Sequence, residues 1–193
     1  MLATNNVALK EWAIVDQYVG SGRQVVLLRK GGIHELRGGF EVEHREFFLF
    51  PTYVHQKAED LVPGARAEFE AVVAAAPADR TVTLRHYAVV DEVVRVTSIE
   101  PLRALGDEHI LSWSTVEGRF WYRDRPGLHA LILRAYRLPR PATIPNREAY
   151  DGCVSWVELD EWLSTAGSVP VLDDAEFARR AGLVRRALAP AAA

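Results

Sequence analysis

Two glutamates, a histidine and an arginine stand directly before a dense aromatic run in "GGFEVEHREFFLFPTYVHQK", residues 38–57. On a strand, Glu41 and Glu43 share one face about 7 Å apart, at roughly 3.3 Å per residue. With His55 they make a donor set for a divalent cation and the water it activates. That is the chemistry of a metal-dependent hydrolase or nuclease, with Glu43 and His55 as its catalytic candidates. A solvated strand edge with Glu-Arg pairing explains the same residues, because Glu43-His44-Arg45 stands where one common nuclease fold has Glu-x-Lys. His44 and His55 lack the His-x-x-x-His spacing of a zinc site, so no metal is assigned. His55 follows "FPTY" at a strand end, where sites open, and is the best single acid/base candidate.

A second chemistry comes from arginine alternating with aromatic rings, as in "RFWYR". Lysines occur only at Lys10, Lys30 and Lys57; every other one of the 23 basic residues is an arginine, whose planar fork suits phosphate and stacks on rings. Arg29 and Lys30 would contact phosphate, Tyr53 or Trp121 would stack on a base, and His55 would read a polar edge beside Glu43. Arg45 and Arg85 would add cations, within a wider set that takes in His86, Arg119, Arg123 and Arg134. RNA, DNA or a nucleotide is the partner this implies, and no cofactor is indicated. An exposed hairpin with Arg-Asp pairing is the plainer reading of "RFWYRDRPG". "RKGG" lacks the glycine spacing of a phosphate loop, and Cys153 reads as a buried apolar residue unless a base lies beside it.

These residues must be positioned by a core that 193 residues can build. Hydrophobic residues are 49% and charged residues 25%, the profile of a globular chain. The net charge of -3 gives no global pull toward nucleic acid, so any such contact is local. One cysteine excludes an internal disulfide, and no leader or long apolar run is apparent; a cytoplasmic location is the expectation.

Ala8, Trp12, Val15 and Val19 predict a helix stopped at Gly20 or Gly22, followed by a strand in "QVVLLR". "FEVEHREFFLF" reads as one strand entering the core and ending at Pro51. A helix over "ARAEFEAVVAAA" should bury Phe69, Val72 and Val73. "TVTLRHYAVVDEVVRVTS" is long and β-rich, one bent strand or two, and Ser98 can cap a short helix with Pro101 in its first turn. "DEHILSWSTVEGRFWY" reads as a helix giving way to a strand near Phe120. "LHALILRAYRL" is a strand and "LPRPATIP" a connector. Phe177, Ala181, Val184 and Leu188 then form a helical stripe behind Asp173-Asp174. The expectation is an α+β fold with a mixed, curved or barrel-like sheet, flanking helices and a C-terminal helix. It is read as a single domain over 1–193, with a core at about 7–163 and a helical appendage at about 164–193. A third role, an interaction module docking a partner through that last helix, remains open.

Together "ALKEWA", "VLLRKGGI", "FEVEHREFFLFPTYVHQ" and "GCVSWVEL" resemble an uncharacterised bacterial family, the domain of unknown function 1802, over nearly the whole chain. The resemblance implies no assigned activity. More weakly, a helix, a glycine, a strand ending in "LRK", the long strand "RHYAVVDEVVRVTSIEPLRAL" and a closing apolar strand are similar in order to the ASCH and PUA-like barrels. That likeness implies a PUA-like barrel and binding of RNA or modified bases, with hydrolysis in a few members. Gly22-Arg23 and Leu27-Leu28-Arg29 stand in for the ASCH glycine-lysine and Glu-x-Arg pattern, whose glutamate and lysine are missing.

Overall fold

In the computed structural model the chain begins with a strand, β1 (Thr4–Trp12), and only then turns into helix α1 (Ala13–Gly20). The predicted helical row from Ala8 to Val19 therefore crosses a strand-helix junction. β1 is covered on both faces and buries Asn5, Asn6 and Glu11, so its sequence carries no alternation of period two. Asn5 Nδ2 donates to the Glu46 carbonyl at 2.8 Å and to the Tyr87 hydroxyl at 3.0 Å, which is how a strand this polar stays buried.

The structure describes residues 1–30, 34–36, 39–41, 44–152 and 154–189, the backbone alone for 34–36 and 39–41. After α1 come β2 (Val26–Arg29), the short pair β3 (His34–Leu36) and β4 (Gly39–Glu41), β5 (Glu46–Thr52) and helix α2 (Arg66–Ala74). Then follow β6 (Thr81–Val96), α3 (Glu100–Ala104), α4 (Trp113–Phe120), β7 (Leu128–Pro145), β8 (Trp156–Ser164), β9 (Val169–Pro170) and α5 (Asp174–Leu188). Among the described residues seven strands form one sheet in the order β2-β7-β6-β5-β1-β8, with β9 paired to β7. β1 and β5 run parallel and the other pairs antiparallel, so the sheet is mixed and the fold is α+β.

Several expectations change here. The single strand read through "FEVEHREFFLF" is two elements, because among the described residues β4 pairs with β3 in a separate ribbon and β5 starts at Glu46. β5 is buried on both faces: Phe47 and Leu49 join one core, Phe48 and Phe50 the other. Pro51 does not end it, since β5 has parted from β6 after Phe48 while still pairing with β1. β7 runs through "LPRPATIP" because Pro139 and Pro141 fall in a stretch where the β6-β7 register shifts and no partner donor is needed. No strand starts near Phe120; a tight turn over Tyr122–Asp124 follows α4 instead. Ser98 caps nothing, Ile99 occupying that position, and Val73 is exposed while Phe69 carries the buried face of α2.

α5 behaves as its stripe predicts. Asp173 accepts from the Glu176 amide at 2.8 Å as its N-cap, and Phe177, Ala181, Val184 and Leu188 are buried in the main core. That apolar face is occupied by the body of the protein and is not left for a partner.

Candidate functional site

A cleft of about 730 Å³ opens where the C-terminal ends of β1, β2 and β5 meet the flank of α4. β1 delivers Lys10, Glu11 and Trp12; β2 delivers Leu28, Arg29 and Lys30; Thr52, Val54 and His55 come from the end of β5 and its exit. α4 contributes Ser114, Thr115, Gly118 and Arg119, and Tyr122 stands just beyond it. The helix is held there by its cap, since Ser112 Oγ accepts from the Thr115 amide at 3.4 Å. Thr115 also donates to Asp60 Oδ1 at 3.3 Å, tying α4 to the opposite wall.

Arg29 crosses from β2 to β1, donating from Nη1 to Glu11 Oε2 at 2.9 Å and to the Lys10 carbonyl at 3.0 Å. Glu11 also accepts the Trp12 amide at 3.0 Å, and with 4% of its side chain exposed it needs both partners. Arg119 donates one bond, from Nη1 to the Leu28 carbonyl at 3.0 Å, and lies 4.7 Å over the Trp12 ring. Burial lowers the Arg119 pKa, opposed by Glu11 and reinforced by Arg29, yet a guanidinium of this kind keeps its charge.

Lys30 is a different kind of lining residue. Its ammonium donates to the carbonyls of Phe120 and Gly127, both at 2.9 Å, and to that of Arg125. An ammonium has three donors, so Lys30 holds the 120–127 turn in place and has none over for phosphate. Burial, then the nearby Arg125 charge, lowers its pKa. Gly118 lies within α4 with open space where a Cβ would project. A glycine inside a helix costs about 1 kcal/mol relative to alanine, and here it leaves the cleft wide.

The structure brings Arg29, Lys30 and His55 of the predicted residues into this cleft. Tyr53 and Arg85 line a separate cavity of about 470 Å³ together with His86. Arg45 is exposed at the entry to β5, where its carbonyl accepts the Val90 amide at 2.8 Å. Trp121 is 51% exposed and packs edge-on against Phe120, and the ring that faces the cleft is its neighbour Tyr122. His55 sits on the rim with φ of 56°, a left-handed backbone that a histidine adopts uncommonly. Glu43 and Cys153 lie outside the described residues, as does the side chain of Glu41. Among the described residues no group of three or more His, Cys, Asp or Glu converges as metal ligands would.

Sequence reasoning passed over Glu11, Trp12, Gly118 and Tyr122. The first two fall inside the helical row predicted from Ala8 to Val19, and that row obscures a strand ending in Lys-Glu-Trp. Tyr122 was hidden beside Trp121 until the end of α4 decided which ring turned inward.

The family described as Domain of unknown function (DUF1802) matches residues 8–182. No curated protein matches the chain. Among solved structures, ASCH from Zymomonas mobilis is similar at 14% identity, over 80% of this chain and 87% of that one, with a TM-score of 0.49. Two mutant proteins of the same Zymomonas mobilis ASCH are similar at 13% identity. One match covers 80% of this chain and 90% of that one, with a TM-score of 0.44. The other covers 95% and 99%, with a TM-score of 0.45. At that level of likeness nothing about ligand or activity transfers.

Proposed function

This chain belongs to the DUF1802 family, a domain of unknown function, and from that premise and the chemistry of its own cleft we propose that it binds single-stranded nucleic acid or a nucleotide. The observation that carries this reading is the meeting of Arg29 and Arg119 with Trp12 and Tyr122 around one opening. Four cationic side chains line it against two acidic ones, on a chain whose net charge is -3. Phosphate is drawn to the arginines, and a base finds the Tyr122 ring, which is 53% exposed. Arg119 is already stacked on Trp12, so it is fixed before a ligand arrives and little side-chain freedom is lost on binding.

The test is a fluorescence anisotropy titration of the whole chain with labelled single-stranded RNA and DNA across a salt series. Binding should weaken linearly in log-log form as salt rises, with a slope of about -0.7 for each phosphate contacted. It should need no divalent metal. Affinity indifferent to salt, or absent at low ionic strength for both polymers, refutes the reading.

A further inference from the structure

The smaller cavity holds an arrangement that the cleft does not use. His86 Nδ1 lies 2.8 Å from Asp16 Oδ1, with both side chains close to fully buried. A carboxylate oxygen only accepts, so in the neutral ring Nδ1 carries the hydrogen and Nε2 is left as a lone-pair acceptor. Gly20 makes room for that ring: a Cβ there would fall 2.1 Å from both Cε1 and Nε2. The cavity is lined by His86, Asp16, Tyr53, Arg85 and Arg137.

The two arginines are placed by the irregularity in the sheet. Between Leu84 and His86 the β6-β7 register shifts from Ala142 to Arg137, and this bulge turns Arg85 and Arg137 to one side. The Arg85 side chain has no hydrogen bond or ion pair among the described residues, and the Arg137 side chain donates only to the Gly20 carbonyl, at 3.3 Å. Neither has a carboxylate, since the nearby Asp16 is engaged by His86. Tyr53 has its pKa raised by burial, then by Asp16, with Arg85 opposing, so its hydroxyl keeps its hydrogen and can donate.

We infer that this cavity is a second ligand site, for a small hydroxylated phosphate monoester: Arg85 and Arg137 take the phosphate, and His86 Nε2, oriented by Asp16, accepts from a hydroxyl of the ligand. Two arginines without a carboxylate match the roughly two negative charges of a phosphate monoester. The fixed acceptor selects against a bare anion that offers no hydrogen. The proposal stands apart from nucleic-acid binding in the cleft.

The probe is ribose 5-phosphate, titrated into the full chain while nitrogen NMR follows the two ring nitrogens of His86. Nε2 should shift along a saturable curve while Nδ1 moves little, and ribose alone should leave both in place. Arg85→Gln and Arg137→Gln, both at exposed positions, should each raise the Kd read at His86 at least tenfold. Gly118→Leu, in the larger cleft, should leave that curve as in the wild type. The inference is overturned if His86 does not respond, if both arginine variants titrate as wild type, or if the response follows Gly118→Leu instead.

Discussion

At Arg119 one hydrogen bond and one stacked ring fix a guanidinium that burial cannot discharge, on a side chain that lines the cleft. Tyr122 has the opposite character. It is half exposed, its ring lines the opening, and the Arg123 guanidinium lies 5.1 Å from the ring centre. Stacking of a base on an aromatic side chain contributes about 1–3 kcal/mol. Tyr122→Ala should therefore weaken oligonucleotide binding by roughly that amount, about five- to 150-fold, while chemical denaturation shows stability within about 0.5 kcal/mol of wild type. Trp121→Ala, at the neighbouring ring outside the cleft, should leave affinity unchanged. Equal losses at both rings would point to a general surface effect. Arg29 and Arg119 were legible in the sequence as cations, but which aromatic residue joined them was not, because "RFWYR" offers three rings and the end of α4 decides among them.

The position of α4 depends on the connection that precedes it. Gln24 Oε1 accepts the Ile110 amide at 3.2 Å, and His109 Nδ1 accepts the amide of Leu111, the residue just before the Ser112 cap, at 3.2 Å. His109 is 6% exposed, and burial, with the Arg119 charge second, lowers its pKa to about 4 from the usual 6.5. Between those two values the unfolded chain binds the proton that the folded chain refuses, so stability is lost as pH falls through that window. The full difference amounts to about 3 kcal/mol, at roughly 1.4 kcal/mol per pH unit. Thermal melts of wild type and His109→Gln at pH 7 and at pH 4.5 test this: wild type should lose more stability than the variant over that interval. Parallel losses would show that other groups govern the acid limb. At the same scale, α5 was readable because its apolar stripe is extended and one-sided, and β6 and the first half of β7 because long β-branched and apolar runs mark them as strands. β1 was not, because burial on both faces removes alternation and a chance row of helical period runs into α1. The β6-β7 register shift was also invisible, since it is set by how two distant segments pair and not by either alone.

Across the molecule, charge is distributed against its own mean. The chain carries a net charge of -3, and its ion pairs, among them Arg23-Glu68, Arg80-Asp151 and Arg185-Glu92, neutralise arginines on the outer surface. The cleft retains more cation than anion, walled by strand ends on one side and by the glycine-bearing face of α4 on the other. Mixed pairing makes this possible, because the parallel neighbours β1 and β5 bring their C-terminal ends to one place while β2 returns to meet them through Arg29. The α+β class and the mixed sheet were within reach of the sequence, and the convergence of β1 with β2 was not. No helix among the described residues is long and apolar enough to cross a membrane. The measurement that tests the cleft most directly is the affinity of Gly118→Leu for a short single-stranded RNA at low salt, beside its melting temperature. A leucine there extends into open cleft space and favours the helix by up to about 1 kcal/mol. Binding in this cleft predicts a melting temperature at or above wild type with at least a tenfold loss of affinity and a flatter salt dependence. Wild-type affinity with an unchanged salt slope in that folded variant would contradict it.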